Sequence, residues 1–453
     1  KHLGLKRARV VERLESTDDP QAFSLIAIHQ NDIPYVFPAD VEAEAERAGP
    51  APLDGRADLR QTPLVTIDGA DARDFDDAVW AEADPDDANP GGWHCLVAIA
   101  DVAWYARPGS PLDEEARKRG NSVYFPDRVV PMLPEALSNG WCSLKPDEDR
   151  PCLAVHFRID AEGELIDHRF ERAMMRSAAR LSYEQIQQAR DGEPDDTTKP
   201  LMASVVAPLY GAFAALVRAR EARNALELEL SERQVIVDAA GNVTDIRERQ
   251  RLDSHKLIEE FMIAANVAAA ETLERRRAPC MYRVHDQPSA EKIAALADFL
   301  SSIDIRFNKG QVVKPTQFNG ILTRVAGTPI QHMVNEVVLR SQAQAEYSPQ
   351  NIGHFGLALR RYCHFTSPIR RYADLVVHRA LIQCLSLGSE GDTIDLEGMV
   401  ELGEALSQAE RRAASAEREA VDRYTASFLS AQVGAVFRAR VNGVTRAGLF
   451  VTL

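Results

Sequence analysis

Apolar residues run together over short stretches in the first part of the chain and recur at helical spacing later. Leu64–Ile67 and Ala78–Ala81 predict two strands around an Asp-rich loop, and Leu96–Ala100 and Leu153–Ile159, rich in Val, Ile and Ala, predict buried strands. Leu257, Ile258, Phe261, Met262 and Ala265 recur at helical spacing and, with Asp253 or Ser254 as cap, predict a helix to about Arg277. Further helices are expected from Pro368 to about Leu387 and from about Leu402 to Leu429. Strands first and helices later indicate an α+β fold, a mixed or antiparallel sheet with packed helices, rather than a doubly wound sheet. The segment Gly49–Pro63, with Pro, Asp and Gly, reads as a linker before a central body from about Leu64 to about Leu387.

At the ends, Leu5–Leu14 reads as a strand with nothing before it, and Val433–Leu453 as the strand, turn and strand that open a small β-barrel. These 21 terminal residues cannot close a barrel, so a fragment of a longer protein is expected at both ends.

The 453 residues, 45% apolar, suffice for two or more domains and a core that needs no disulfide or structural metal. No run of membrane-spanning length and no signal-peptide apolar region is read from the pattern, so no membrane partner is expected. Six scattered cysteines without ligand spacing argue against zinc and fit a reducing, cytoplasmic location. A net charge of −15 excludes a protein coated in basic charge for nucleic acid, though a local basic channel would not show in that sum.

Chemistry concentrates in two places. From Asp68 to Asp77, five aspartates occupy ten positions between two apolar strands. Like charges this close repel and raise one another's pKa, so the loop is either solvated or neutralised by a cation. Oxygen ligation selects a hard cation such as Mg²⁺, Mn²⁺ or Ca²⁺. An EF-hand register fails, because counting from Asp74 puts Ala78 at the fifth position and Val79 at the sixth. Asp68, Asp74, Asp76 and Asp77 can instead hold two divalent ions about 3.5–4 Å apart, an arrangement that cleaves phosphodiesters without a histidine base.

The second place is Arg360–Arg379, with five arginines and one acid. Ser367 before Pro368 has the form of an N-cap and first helical residue, which puts Arg370 and Arg371 in a first turn where the helix dipole disfavours cations. Either the pair binds an anion such as phosphate, or it begins a solvated basic helix paired to Asp374 or to distant acids.

Four stretches then become specific: TIDGADARDFDDAV (Thr66–Val79), YFPDRVVPMLPEALSNGWCSL (Tyr124–Leu144), DSHKLIEEFMIAAN (Asp253–Asn266) and HFGLALRRYCHFTSPIRRYADLVVHR (His354–Arg379). Together they resemble the RNB catalytic domain of the RNase II/RNase R exoribonucleases, in wording closer to the RNase R group. The resemblance covers about Pro63 to Leu429 and implies a sheet and helices enclosing an RNA channel, between OB folds. It divides the chain into the end of a cold-shock-type OB fold and connector (1–50), the RNB domain (51–395), its helical C-terminal part (396–430) and the start of an S1-type OB fold (431–453). It also implies Mg²⁺-dependent, processive hydrolysis of single-stranded RNA from a free 3′ end to nucleoside 5′-monophosphates, with Mn²⁺ as a substitute. A monomer with no obligate protein partner is expected.

By the same resemblance Asp68, Asp74 and Asp77 match principal metal ligands, Asp76 the carboxylate tied to the second metal and the attacking water, and Arg370 the arginine on the scissile phosphate. Arg371 falls in the same neighbourhood. Tyr124 matches the tyrosine that stacks on the terminal base. The second clamp aromatic of RNase II has no clear counterpart, Val235 standing in that stretch, and Phe261 is the substitute considered. Glu259, Glu260 and Asn266 either face the RNA and its 2′-hydroxyls or form a solvent-facing stripe. Glu417 falls near a functional glutamate of RNase II. His285, bonded to Asp286, and Tyr183 are read as structural. Two other readings compete: an RNB scaffold that binds RNA without catalysis, and a structural Ca²⁺ or Mg²⁺ loop unrelated to catalysis.

Overall fold

A computed structural model describes residues 20–228, 233–238, 240–307, 313–430, 432–445 and 448–452. The strands that matter are β1 (Ala57–Asp58), β2 (Val65–Asp68), β3 (Asp77–Ala83), β4 (Trp93–Ala100), β5 (Val123–Tyr124), β6 (Val129–Val130), β7 (Asp149–Ile159), β8 (Leu165–Arg176) and β9 (Ala179–Ser182). Seven of them form one mixed sheet in the order β1-β8-β7-β4-β3-β2-β9. β1 and β9 pair in parallel with β8 and β2, and the other neighbours are antiparallel. The fold is α+β, as the pattern predicts.

The central strands β4 and β7 are buried along nearly all their length, which their apolar runs require of strands covered on both faces. The helices Ala207–Arg223 and Asp253–Arg276 pack on this region, bringing Phe213, Leu257 and Phe261 into one core with Val97, Ile99 and Phe157. The whole segment Lys199–Arg223 has the length and apolarity of a membrane span, which corrects the sequence reading. Here its Leu209, Ala212 and Leu216 lie in that core. Helices Ala290–Ser302, Pro315–Val325 and Gln331–Ser341 build a second core around Phe318, Leu300 and Val338 that the pattern does not announce.

Three boundaries move. Within the expected linker, Ala57 and Asp58 extend the sheet by pairing with Ala173 and Met174, and Arg56 forms a buried ion pair with Asp101. The helix expected from Pro368 runs from Tyr372 to Leu385, and the last long helix spans Leu396–Ser430, with Pro20–Gln30 packed along it. In the C-terminal stretch, Arg440–Thr445 and Gly448–Thr452 pair antiparallel, the two strands expected there, and the expected turn between them lies outside the described residues. The expected strand Leu5–Leu14 lies outside the described residues.

Candidate active site

Asp68 closes β2 opposite Ser182 of β9, and Asp77 opens β3 opposite Ile99 of β4. Both acids are therefore fixed by the sheet, and the loop 69–76 joins them at its end. Phe75, buried, anchors that loop in the main core. The acids are short of partners: Asp68 Oδ2 and Asp77 Oδ2 are buried with no hydrogen-bond partner among the described residues. Burial, followed by repulsion from Asp74, pushes Asp68 up to about 6. Burial also pushes Asp76 up to about 8, against the pull of Arg370, and holds Asp77 well above the usual carboxylate range, helped by Asp68 and Asp76.

Orphaned carboxylate oxygens in a dry site are costly unless a cation satisfies them. This oxygen-only set fits a hard divalent ion in its chemistry. As the side chains stand, no three acidic, imidazole or thiol groups among the described residues converge closely enough to enclose an ion. The fit rests on the orphaned oxygens and the donor type, not on a preformed cage.

The arginine segment meets this loop directly. Ser367-Pro368-Ile369-Arg370 forms a turn, with the Arg370 and Arg371 N–H groups donating to the Ser367 carbonyl at 3.3 and 3.0 Å. Asp76 Oδ1 accepts from the Ile369 N–H at 2.9 Å, and Asp76 Oδ2 lies 3.4 Å from Arg370 Nε. Arg370 Nη2 donates to Ser367 Oγ at 2.8 Å, and the side chain is 44% exposed. It is a cation steadied at the edge of an acidic, largely buried cluster, with N–H groups left for an anion.

Arg371 is different. Its Nε and Nη2 each donate to Asp374 at 2.8 Å, and Asp374, fully buried, also accepts from the Ser367 N–H at 2.7 Å. This corrects the expectation that Arg371 reads phosphate: it neutralises the buried acid that holds the turn to the helix start.

Tyr124 stands beside the acids. Its N–H donates to a Glu417 carboxylate oxygen at 2.8 Å, its hydroxyl donates to Asp74 Oδ2 at 3.3 Å, and it is 41% exposed. Glu417 thus reaches the site through the Tyr124 backbone, and burial pushes its carboxyl above the ordinary value. Residues 121 and 122 bridge to Arg371 and Arg370 by backbone bonds, tying the tyrosine strand to the arginine turn.

Other expected contacts do not reach the site. Phe261 is fully buried and packs edge-on to Phe157 at 6.2 Å, so it is core and not a clamp. Val235 is buried among Phe23 and Tyr424. Asn266 is buried, donating to Tyr362 Oη at 3.0 Å and accepting from the Phe365 N–H at 2.8 Å, so neither it nor its amide faces RNA. Glu259 pairs with Arg220 and Arg251, and Glu260 with Arg220 and Arg223. His285 is structural as read, but its partners are the Ala343 carbonyl and the Gly356 N–H, and not Asp286. Tyr183 stacks on His255 at 4.0 Å, and burial, followed by the fields of Asp77 and Asp68, raises its hydroxyl.

The RNB domain family matches residues 56–387. Ribonuclease R of Escherichia coli K12 is 43% identical over 443 residues, covering 94% of this chain and 54% of its own length. The chain thus spans about half the length of the curated relatives it matches. Among solved structures, Mycoplasma genitalium RNase R in complex with ribose-methylated single-stranded RNA superposes with a TM-score of 0.87 at 27% identity, covering 96% of this chain and 69% of that one. Yeast Ssd1, described as a pseudonuclease, shares the fold with a TM-score of 0.69 at 19% identity, covering 89% of this chain and 50% of its own.

Proposed function

This chain belongs to the RNB-domain family, and from that premise we propose that it is a hydrolytic 3′-to-5′ exoribonuclease. It acts processively on single-stranded RNA and releases nucleoside 5′-monophosphates, with Asp68, Asp74, Asp76 and Asp77 holding Mg²⁺. The observation that carries this reading is the meeting of two segments about 300 residues apart: orphaned Asp68 and Asp77 oxygens beside Asp76, with Arg370 3.4 Å from Asp76. Divalent ions bound by these acids would ease proton loss from water and offset charge on the leaving oxygen.

The chain's own groups do the rest. Arg370, partly exposed and fixed through Ser367, takes the scissile phosphate and the charge that develops on it. Asp76, held by the Ile369 N–H, orients the attacking water. Tyr124 stacks on the terminal base, and its bonds to Glu417 and Asp74 set its distance from the acids. All these side chains come from one chain, which makes a monomer sufficient.

A second reading has a specific observation behind it, because the fold also occurs in a pseudonuclease. The full set of four aspartates and Arg370 weighs against loss of catalysis here. A gel time course on 5′-labelled single-stranded RNA, with Mg²⁺ or EDTA and beside DNA of the same sequence, decides between them. Collapse of the RNA to a short oligonucleotide only with Mg²⁺ is expected. Binding without cleavage would favour the inactive scaffold.

A further inference from the structure

The acidic loop carries mutually repelling carboxylates, and within residues 69–75 its own restraints are the Ala72 N–H bond to the Gly69 carbonyl and the buried Phe75 ring. Two residues remote in sequence add to them. Arg180 lies in β9, an edge strand of the sheet, opposite Thr66 of β2 and two pairs before the Asp68–Ser182 pair. From there its Nη2 donates to the carbonyls of Gly69 at 3.1 Å and Ala70 at 2.5 Å. The guanidinium also stacks over the Phe75 ring, 5.5 Å from its centre, so one side chain touches both limbs of the loop. Its Nε is buried without a hydrogen-bond partner among the described residues.

Ser143 acts from elsewhere in the chain. Its hydroxyl accepts from the Phe75 N–H at 3.0 Å and donates to the Arg73 carbonyl at 2.8 Å, and the Leu144 N–H donates to the Phe75 carbonyl at 3.0 Å. Ser143 is itself buried and held by Arg150 Nε on its carbonyl at 3.0 Å. Backbone groups of residues 69, 70, 73 and 75 are thus tied down on both sides of Asp71 and Asp74.

We propose that Arg180 and Ser143 are positioning residues of the metal-binding loop, clamping its backbone so that the side chains of Asp74 and Asp76 start from fixed positions beside Asp68 and Asp77 when a metal draws them together. Neither touches the reacting atoms; each acts through the loop. The inference rests on the metal-binding reading of those aspartates. Outer residues that orient ligands typically contribute 10–100-fold in metal affinity, and a clamp on ligand backbone belongs to that class.

The test is Mn²⁺ binding by calorimetry or electron paramagnetic resonance, with melting temperature measured on the same samples. The variants are Arg180→Ala, Arg180→Lys and Ser143→Ala, with Gly163→Ala as a variant destabilised far from the loop. Arg180→Ala and Ser143→Ala are expected to weaken Mn²⁺ by about 10-fold or more. KM for RNA should stay within about twofold while kcat at limiting metal falls and recovers with added Mn²⁺. Arg180→Lys, which keeps a donor for the two carbonyls, should recover much of the affinity. If Arg180→Ala does not fold, Ser143→Ala still decides. Wild-type affinity in the clamp variants, or an equal loss in Gly163→Ala, overturns the inference and leaves the metal reading standing. Wild-type protein that binds no Mn²⁺ overturns both.

Discussion

Asp76 shows how one residue serves two purposes. One carboxylate oxygen accepts the Ile369 N–H at 2.9 Å, and the other faces Arg370. In Asp76→Asn the amide oxygen can still accept from Ile369, so the arginine turn stays docked, while the anionic oxygen is lost. Turnover should fall by about 10²–10³ or more, the scale of removing one preorganised electrostatic group. RNA affinity, which the proposed function assigns to Tyr124 and Arg370, should change by less than about threefold. Filter binding with single-turnover cleavage checks this, and a strong loss of binding would contradict the role given to Asp76. At this scale the sequence was informative for the acids because they are contiguous. The residue types alone did not separate Arg370 from Arg371, since both suit phosphate; the resemblance singled out Arg370, and the buried Asp374 shows what Arg371 is occupied with. Phe261 was misassigned because an apolar residue at helical spacing looks the same in a core and in a clamp.

Among the elements, the strands around the acidic loop were legible from their apolar runs, and the Asp253–Arg276 helix from its period. The start of the Tyr372–Leu385 helix was not, because Ser367-Pro368 suits a helix cap and a turn equally, and the turn is favoured by the bonds to Asp76 and Asp374. Arg180 and Ser143 were invisible for another reason: only the β2–β9 register and the Ser143–Leu144 segment bring them to the loop. The β7–β8 hairpin offers a sharp test of the packing that carries this sheet. Gly163 has φ +82°, and a Cβ there would sit 2.1 Å from the Ala215 carbonyl oxygen of the helix Ala207–Arg223. Gly163→Ala combines backbone strain with a clash against main chain, so a loss of about 3 kcal/mol or more is expected. Urea unfolding would measure it, and a change under about 0.5 kcal/mol, typical of neutral surface sites, would mean the hairpin and helix are not packed as described.

For the whole molecule, buried histidines set the response to acid. His354 accepts the Leu357 N–H on Nδ1 at 3.1 Å and lies 5.0 Å from His285, and burial lowers it to about 3. His285, lowered as well, accepts from Gly356 on Nδ1, so both rings serve as acceptors only while neutral. Together they fasten the segment 353–362, which leads into the arginine turn, to the strand Tyr282–His285. A histidine whose folded pKa lies below its unfolded value of about 6.5 leaves the unfolded chain binding more protons, so stability is lost as pH falls below that value. At pH 5 the loss for His354 alone is about 1–2 kcal/mol. Asp76 and Asp68 act in the opposite sense, because their raised folded values make metal-free protein lose stability as pH rises from about 4 to about 8. The two effects separate by difference. Subtracting the pH–melting curve of His354→Asn from that of the wild type cancels the carboxylates and isolates the histidine. The difference should favour the wild type most at pH 7 to 8 and shrink steadily toward pH 4. A flat difference would mean that His354 titrates alike in the folded and unfolded chain and that this segment is held by other contacts.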